Sequence, residues 1–310
     1  MSARTGKTAL ASIAAGFALT ALALALKALF PGERTEIAVS PGESFSVGGE
    51  RMTLLAFDMP KYPSGRPRQY ISRLLALDLA KGEGEGIETR VNHPARRNGT
   101  WIYQHSFEGE KTVLVFFKDP WLPLAAAGGA LLLLGAFLFA LPGSCAADMS
   151  RFGRPGAVGL AVRVFAAAAA LYVPMKIIVR ACLRAEPPPA LQSWLFAPHV
   201  ASYAASYIIL LFAAVGIGRK AVPLGFFLMT SGLVSGAVWG KICWGDFWQY
   251  DPKEMWSLAT WLLYSAYFHL AARLSPRAKK VFLVAGAAMV VLTLTWINLS
   301  RIFSGMHSYA

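Results

Sequence analysis

Residues 243–261 have the sequence CWGDFWQYDPKEMWSLATW and lie between two apolar stretches. The segment contains four tryptophans, and a fifth, Trp239, stands just before it. Tryptophan rings favour membrane interfaces, so an aromatic belt at the lipid headgroups is one interpretation. The density of tryptophan favours a second interpretation, an aromatic platform for a large planar apolar ligand such as haem.

The composition of the whole chain indicates a multi-pass membrane protein. Its 310 residues are 55% hydrophobic, with a mean hydropathy of +0.46. Several stretches of about 20 residues lack acidic side chains, which is the length needed to cross a bilayer core. A cleaved signal peptide is one interpretation of the first apolar stretch. The stretch is long for a signal peptide, which favours an uncleaved N-terminal anchor. We predict seven helical spans, at residues 8–30, 121–142, 157–179, 198–218, 221–240, 253–273 and 281–299.

The basic residues indicate how the chain is oriented in the membrane. The net charge is +13, and Lys and Arg cluster at the ends of apolar runs. This pattern is typical of residues that set membrane topology, and it argues against nucleic-acid binding. If the spans alternate, the N-terminus is cytoplasmic, whereas the Trp-rich segment and the C-terminus are extracytoplasmic. Three widely spaced cysteines without a C-x-x-C pair indicate neither a disulfide framework nor a thioredoxin-like redox pair.

Residues 31–120 differ from the rest, because they are polar, rich in Gly and Pro, and contain short runs such as TVLVFF and RMTLLAF. Such runs predict a small extracytoplasmic β-rich domain. We therefore expect an anchor at 1–30, this domain, a transmembrane helix at 121–142, and a membrane domain at 157–310 that contains the Trp-rich segment, residues 239–261.

The DPKE sequence within the Trp-rich segment predicts the start of a helix. Asp251 suits the N-cap, Pro252 the first helical position and Glu254 the third, which together make a capping box. Trp244 and Trp248 are four residues apart, so a helical segment would place them on one face together with the two acids.

Three of the five histidines are candidate iron ligands. His199 and His307 are predicted at extracytoplasmic ends of spans, although a histidine there is often only an interfacial polar residue. His269 lies 17 positions beyond Pro252, about 25 Å along a helix, so it would belong to a second, inner site unless it only bonds a neighbouring helix. His93 and His105 are expected at the surface of the β-rich domain.

Three motifs resemble those of a known family. WGDFWQYDPKE is similar to the tryptophan-rich signature of the haem-handling proteins of cytochrome c biogenesis, and LQSWLFAPHV and GMHSYA resemble its flanking His segments. The resemblance covers about residues 157–310 and is to the System II CcsA/ResC family, related to CcmC and CcmF. Tyr250 stands where the family more often has Trp. In the N-terminal part, about residues 35–140, VNHPARRNGTWIYQHSF and VFFKDPW resemble the C-terminal end of the partner family, CcsB/ResB.

The resemblance implies roles for particular residues. His199 and His307 would be catalytic and would ligate the iron of non-covalent haem b, and His269 would ligate haem in the inner leaflet. Lys241 and Arg301 would pair with propionates, unless they only snorkel to the interface. The residues expected to hold haem are Trp239, Trp244, Trp248, Tyr250, Asp251, Glu254 and Trp256.

The resemblance also implies a function in the bacterial cytoplasmic membrane. The protein would move haem outward and attach it to apocytochrome c, as a holocytochrome c synthase. The expected partners are a ResB/CcsB-like subunit that supplies the other intramembrane ligand, apocytochrome c, a thioredoxin-like thiol reductant and membrane lipid. Two alternatives remain open, a b-type cytochrome that exchanges electrons with quinone and a non-catalytic assembly scaffold.

Overall fold

The computed structural model describes residues 3–78, 83–141 and 186–299. These residues form long helices and a β-sandwich. Short 3-10 turns at Pro189–Gln192 and Arg219–Ala221 precede the third and fourth helices. The helices of the described residues are α1 (Ala3–Leu29), α2 (Leu122–Ala140), α3 (Phe196–Ala214), α4 (Val222–Trp244), α5 (Pro252–Leu270) and α6 (Pro276–Leu299).

Four helices of the described residues are long and apolar enough to cross a membrane, namely α1, α2, α3 and α4. They coincide with four of the predicted spans, so the prediction of a multi-pass membrane protein with helical spans is confirmed. The number seven is not confirmed. The predicted span at 157–179 lies outside the described residues. The predicted spans at 253–273 and 281–299 coincide with the helices α5 and α6, so a helix is present at both positions.

The β-rich unit consists of two four-stranded antiparallel sheets, with strand orders β1-β8-β7-β6 and β2-β3-β4-β5. This confirms the prediction of a β-rich unit between the first two spans. The strands of the described residues are β1 (Glu33–Val39), β2 (Ser44–Val47), β3 (Glu50–Asp58), β4 (Ile71–Asp78), β5 (Glu83–Arg90), β6 (Ala95–Arg97), β7 (Thr100–Glu108) and β8 (Lys111–Lys118).

The two sheets share one apolar core, to which both contribute alternate residues, for example Leu54 and Leu74 from one sheet and Leu114 and Phe116 from the other. Strand β8 is buried on both faces, which explains its unbroken apolar run. The face of β8 that points away from this core includes Phe117 and lies over the end of α1. The Lys27 ammonium of α1 is 5.1 Å from the centre of the Phe117 ring.

The β-sandwich is inserted between α1 and α2, and these two helices pack closely. A Cβ atom on Gly128 would lie 2.9 Å from the backbone nitrogen of Thr20, so only glycine permits this approach. The indole Nε1–H of Trp121 donates to the carbonyl of Phe30 at 2.9 Å and joins the two connections to the sandwich. The sandwich therefore sits where α1 ends and α2 begins.

Candidate functional site

The Trp-rich segment is helical only in part. Helix α4 ends at Trp244, and Gly245 caps it in the left-handed region with φ +89°, its N–H bonding the carbonyl of Lys241 at 3.1 Å. Glycine adopts this conformation without steric cost, which is why the helix stops there. The expectation that Trp244 and Trp248 share one helical face is therefore wrong, because the helix ends between them.

The predicted capping box is confirmed at the start of α5. The Asp251 carboxylate accepts from the Lys253 N–H at 2.8 Å, and the Glu254 carboxylate accepts from the N–H groups of Gln249 and Asp251 at 2.8 and 3.3 Å. These two amides flank Tyr250, which has φ +57°, an unusual value for a bulky residue. Glu254 thus stabilises a strained turn in which the Tyr250 side chain is 64% exposed.

Trp239 lies beneath the surface of the site and does not form an exposed platform. It is only 2% exposed, and its Nε1–H donates to the carbonyl of Ala190 at 3.1 Å. Its ring packs against Phe196 and Trp244, with centroid distances of 5.2 and 5.1 Å. Trp244, Trp248 and Trp256 are half-buried. Of the tryptophans predicted to form the platform, Trp239 is therefore buried beneath it, and the other three are partly exposed.

His199 lies on the first turn of α3 and faces α4. Its Nδ1 is 2.8 Å from the carbonyl oxygen of Gly232. A carbonyl only accepts, so a neutral imidazole here carries its proton on Nδ1 and its lone pair on Nε2. That is the form of imidazole that ligates iron, and the hydrogen bond fixes the direction of the ring. The ring centroid is 5.8 Å from that of Trp239.

Two glycines of α4 make this placement of His199 possible. A Cβ atom on Gly236 would lie 2.5 Å from Cε1 of His199, and one on Gly232 would lie 2.6 Å from the Tyr203 ring. Sequence reasoning did not single out these glycines. Their four-residue spacing on an apolar helix is the signal that could have indicated a close approach of another element.

His269 is in the last turn of α5, at the opposite end of that helix from the capping box. The helix is continuous from Pro252, so the separation is about 25 Å along its axis. Its Nδ1 is 2.8 Å from the carbonyl of Ser265, which again leaves the lone pair on Nε2, and its side chain is exposed. His269 therefore presents an imidazole of ligating form on the outside of the described bundle.

Two predicted residues, His307 and Arg301, lie outside the described residues, so their placement relative to His199 remains a prediction. Lys241 is placed, and the prediction that it pairs with a haem propionate is corrected. Its ammonium is buried and contacts the Asp119 carboxylate and the Gly245 carbonyl, each at 2.9 Å. The structure therefore assigns Lys241 to the junction between the β-sandwich and α4.

A second acidic residue at this junction, Asp246, was also not singled out from the sequence. Its carboxylate pairs with Lys27 of α1 and, at 2.8 Å, with Arg34 of β1. The backbone of Gly245 lies against the ring of Tyr103 on β7. Together with the Lys241 pair, these contacts join the Trp-rich segment to the β-sandwich.

The expectation that both histidines of the β-rich unit lie at its surface is wrong for His105. His93 is exposed, but His105 occupies a bulge in β7 and is half-buried. Its Nδ1 is buried without a hydrogen-bond partner in the described part of the chain. Burial lowers the pKa of His105, and the nearby Arg34 acts in the same direction, whereas Glu36 and Asp246 oppose it. Burial therefore favours the neutral form of the ring.

The fold and the site define a class: a multi-pass membrane protein with a β-sandwich on the ends of its helices and a histidine that packs against a tryptophan of the Trp-rich segment. Comparison with known families agrees with this class. Residues 216–307 match the family described as Cytochrome C assembly protein, and residues 30–130 match the ResB-like family. The two resemblances inferred from the sequence are confirmed over these stretches. His199 lies N-terminal to the first matched stretch.

Curated relatives share a short stretch with this chain. Proteins named Cytochrome c biogenesis protein CcsA are 40% identical over 93 residues in Synechococcus sp. (strain CC9311) and in Prochlorococcus marinus (strain MIT 9303), and 37% identical over 93 residues in Pyropia yezoensis. In each case the match covers 30% of this chain. The chain spans 30%, 29% and 29%, respectively, of the length of these relatives.

Proposed function

We propose that this protein acts in cytochrome c maturation, where it binds haem b and presents it for attachment to apocytochrome c. One observation carries the proposal: the stretch that matches the Cytochrome C assembly family contains the Trp-rich segment, and His199 packs against Trp239 of that segment in the tautomer that ligates iron. Haem is the cargo of this reaction rather than a resident cofactor.

The outer site would be formed by His199 and His307, with the ligands on opposite faces of the haem and the aromatic rings of the turn against its plane. Bis-histidine ligation needs two neutral imidazoles, and the bond from Nδ1 to the Gly232 carbonyl prepares one of them. Arg301 is the remaining candidate for a propionate. Trp244, Trp248, Tyr250 and Trp256 would provide the contact surface.

The inner site would use His269, whose exposed imidazole leaves room for a ligand from another chain. We propose that a ResB/CcsB-like subunit supplies that ligand. Haem would pass from this site near the cytoplasmic face to the outer site. In this orientation the N-terminus is cytoplasmic, the Trp-rich turn and the β-sandwich are extracytoplasmic, and the membrane is the bacterial inner membrane.

The attachment reaction itself is an addition. Each cysteine thiol of an apocytochrome adds across a haem vinyl group: a C–S bond forms at one vinyl carbon, and the thiol proton goes to the other. No net oxidation occurs, but the thiols must arrive reduced, which is the role we assign to a thioredoxin-like partner. The residues of this chain would contribute by positioning the vinyl groups and excluding water, which is catalysis by orientation.

The test compares His199→Ala with His93→Ala, an exposed histidine of the β-sandwich that serves as the matched control. Each full chain is expressed with its partner subunit, purified in detergent and examined for haem absorbance, and c-type cytochromes are measured in the same cells. We expect His199→Ala to lose haem and all c-type cytochromes, and His93→Ala to retain both. Retained haem with normal c-type cytochromes in His199→Ala would favour an electron-transfer subunit, and absence of haem from the native chain would favour a scaffold.

A further inference from the structure

Asn92 of the β-sandwich reaches into the membrane domain. It lies in the tight turn after β5 with φ +66°, a left-handed conformation that asparagine tolerates better than most residues. Its buried side-chain amide donates to the carbonyls of Pro189 and Ala190, at 2.7 and 3.3 Å. These carbonyls belong to the 3-10 turn that leads directly into α3, the helix of His199. One side chain of the sandwich thus holds the segment that precedes the candidate ligand.

The Ala190 carbonyl connects this contact to the outer site. It also accepts the indole N–H of Trp239 at 3.1 Å, so Asn92 and Trp239 bond the same oxygen. Trp239 in turn packs against the His199 ring. The space around these groups is filled by one apolar cluster, to which the sandwich contributes Val91. A continuous path of contacts therefore runs from Asn92 to His199.

Other contacts of the sandwich with the same segment are more exposed. The Tyr62 hydroxyl donates to the Pro187 carbonyl at 3.0 Å, and the Gln192 amide donates to the Arg68 carbonyl at 2.7 Å. Hydrogen bonds that compete with water stabilise less than buried ones, and leaving a buried carbonyl without a donor is costly. Among these contacts, that of Asn92 should therefore matter most for the position of the segment.

We propose that the β-sandwich is a positioning element for the outer histidine site, and that Asn92 is its positioning residue. Asn92 touches neither haem nor the imidazole. It acts by holding the Ala190 carbonyl, which orients Trp239, which in turn limits the directions open to the His199 ring. This inference rests on the proposed function, since it assumes that His199 ligates haem iron, and it assigns the ResB-like part of the chain a task at that site.

The test replaces Asn92 by Gly, and Asn98→Gly is the matched control. Asn98 also has a positive φ, +47°, but its side chain bonds Glu50 within the sandwich. Glycine accepts both backbone conformations, so the two variants differ mainly in the side-chain contact that they remove. The full chain with its partner is used. Amide hydrogen exchange over residues 186–200 reports the segment, and the high-spin fraction of the bound haem reports the ligation.

We expect exchange over residues 186–200 to become about tenfold faster in Asn92→Gly, in line with the loss of a buried hydrogen bond. The high-spin fraction should rise, and haem should be retained roughly 10 to 100 times less tightly, as found when partners that orient a ligand are removed. Asn98→Gly should change neither readout. Trp239→Phe, which removes the other donor to Ala190, should raise the high-spin fraction in the same way, and the double variant should add little.

Unchanged exchange over residues 186–200 in Asn92→Gly would overturn the inference, whether or not haem is bound. Faster exchange with an unchanged haem spectrum would also overturn it, because the segment would then not control the ligand. A native chain that binds no haem would instead refute the proposed function, while the exchange data would still report on the contact itself.

Discussion

The ion pair between Lys241 and Asp119 is expected to stabilise the junction of the β-sandwich with the membrane helices. The two side chains are only 7% and 3% exposed, and they are 122 positions apart in the chain. Asp119→Asn keeps the shape of the side chain. It also keeps an oxygen that accepts from the backbone N–H of Trp121, a contact of 3.1 Å. It removes the negative charge and leaves the Lys241 ammonium buried without its counter-ion.

The size of the effect follows from what remains around Lys241. Breaking a buried ion pair by removing one partner costs about 3–5 kcal/mol. The Gly245 carbonyl at 2.9 Å and the Phe117 ring at 4.4 Å still stabilise the ammonium. A cation over an aromatic face contributes about 0.5–2 kcal/mol. We therefore expect the lower end, a loss of about 3 kcal/mol in the free energy of unfolding, or roughly 150-fold in the equilibrium constant.

The assay is thermal and denaturant unfolding of the purified full chain in detergent, followed by tryptophan fluorescence. Asp58→Asn is the matched control, because Asp58 pairs with Arg73 at 2.5 Å but both side chains are about half exposed. Such a surface pair contributes about 0–1 kcal/mol. A double change of Asp119 and Lys241 to apolar residues should recover much of the loss. Equal small losses for Asp119→Asn and Asp58→Asn would refute the reasoning.

Two further changes test the site and the sandwich. Gly236→Ala would place a Cβ 2.5 Å from Cε1 of His199, so it should displace that ring and lower the haem content of the purified chain. Gly129→Ala is the control, because its Cβ would lie at an ordinary contact distance of 3.5 Å from Val234 and should leave the haem content unchanged. Equal haem content in both variants would contradict the placement of His199. Burial lowers the pKa of His105, so the folded state binds fewer protons than the unfolded state, and stability should fall as the pH drops below about 6.5 and level off below the lowered pKa. His105→Gln should reduce this loss between pH 7.5 and 5.5 in the same unfolding assay, and an unchanged pH dependence would contradict it.

Much of the fold was predictable because its signals are local. Apolar runs of the right length predicted the four helices that are apolar enough to span a membrane, and short alternating runs predicted the β-rich unit. The capping box at Asp251 and Glu254 was predictable for the same reason, since its hydrogen bonds join residues within one turn. The helix break at Gly245 was missed, although glycine at a helix end is itself a local signal.

The candidate site was predictable only as a set of residue types. Tryptophan density and the histidines at predicted helix ends indicated the chemistry, but not which rings lie under the surface. Trp239 is buried in an apolar cluster, where its indole N–H donates to the carbonyl of Ala190, 49 positions away in the chain. Lys241 is bound to Asp119 rather than exposed to a ligand, and this too depends on a partner distant in the chain.

By itself, the amino-acid sequence determined the membrane class of this protein, the position of its β-rich unit and the start of α5. These properties follow from periodicity, composition and contacts between near neighbours in the chain. Only the tertiary structure decided that His199 directs Nδ1 at the Gly232 carbonyl, and that Asn92 holds the turn before α3. These contacts join residues 33 and 97 positions apart, and no local pattern specifies them, because they exist only once helices and sheets have packed together.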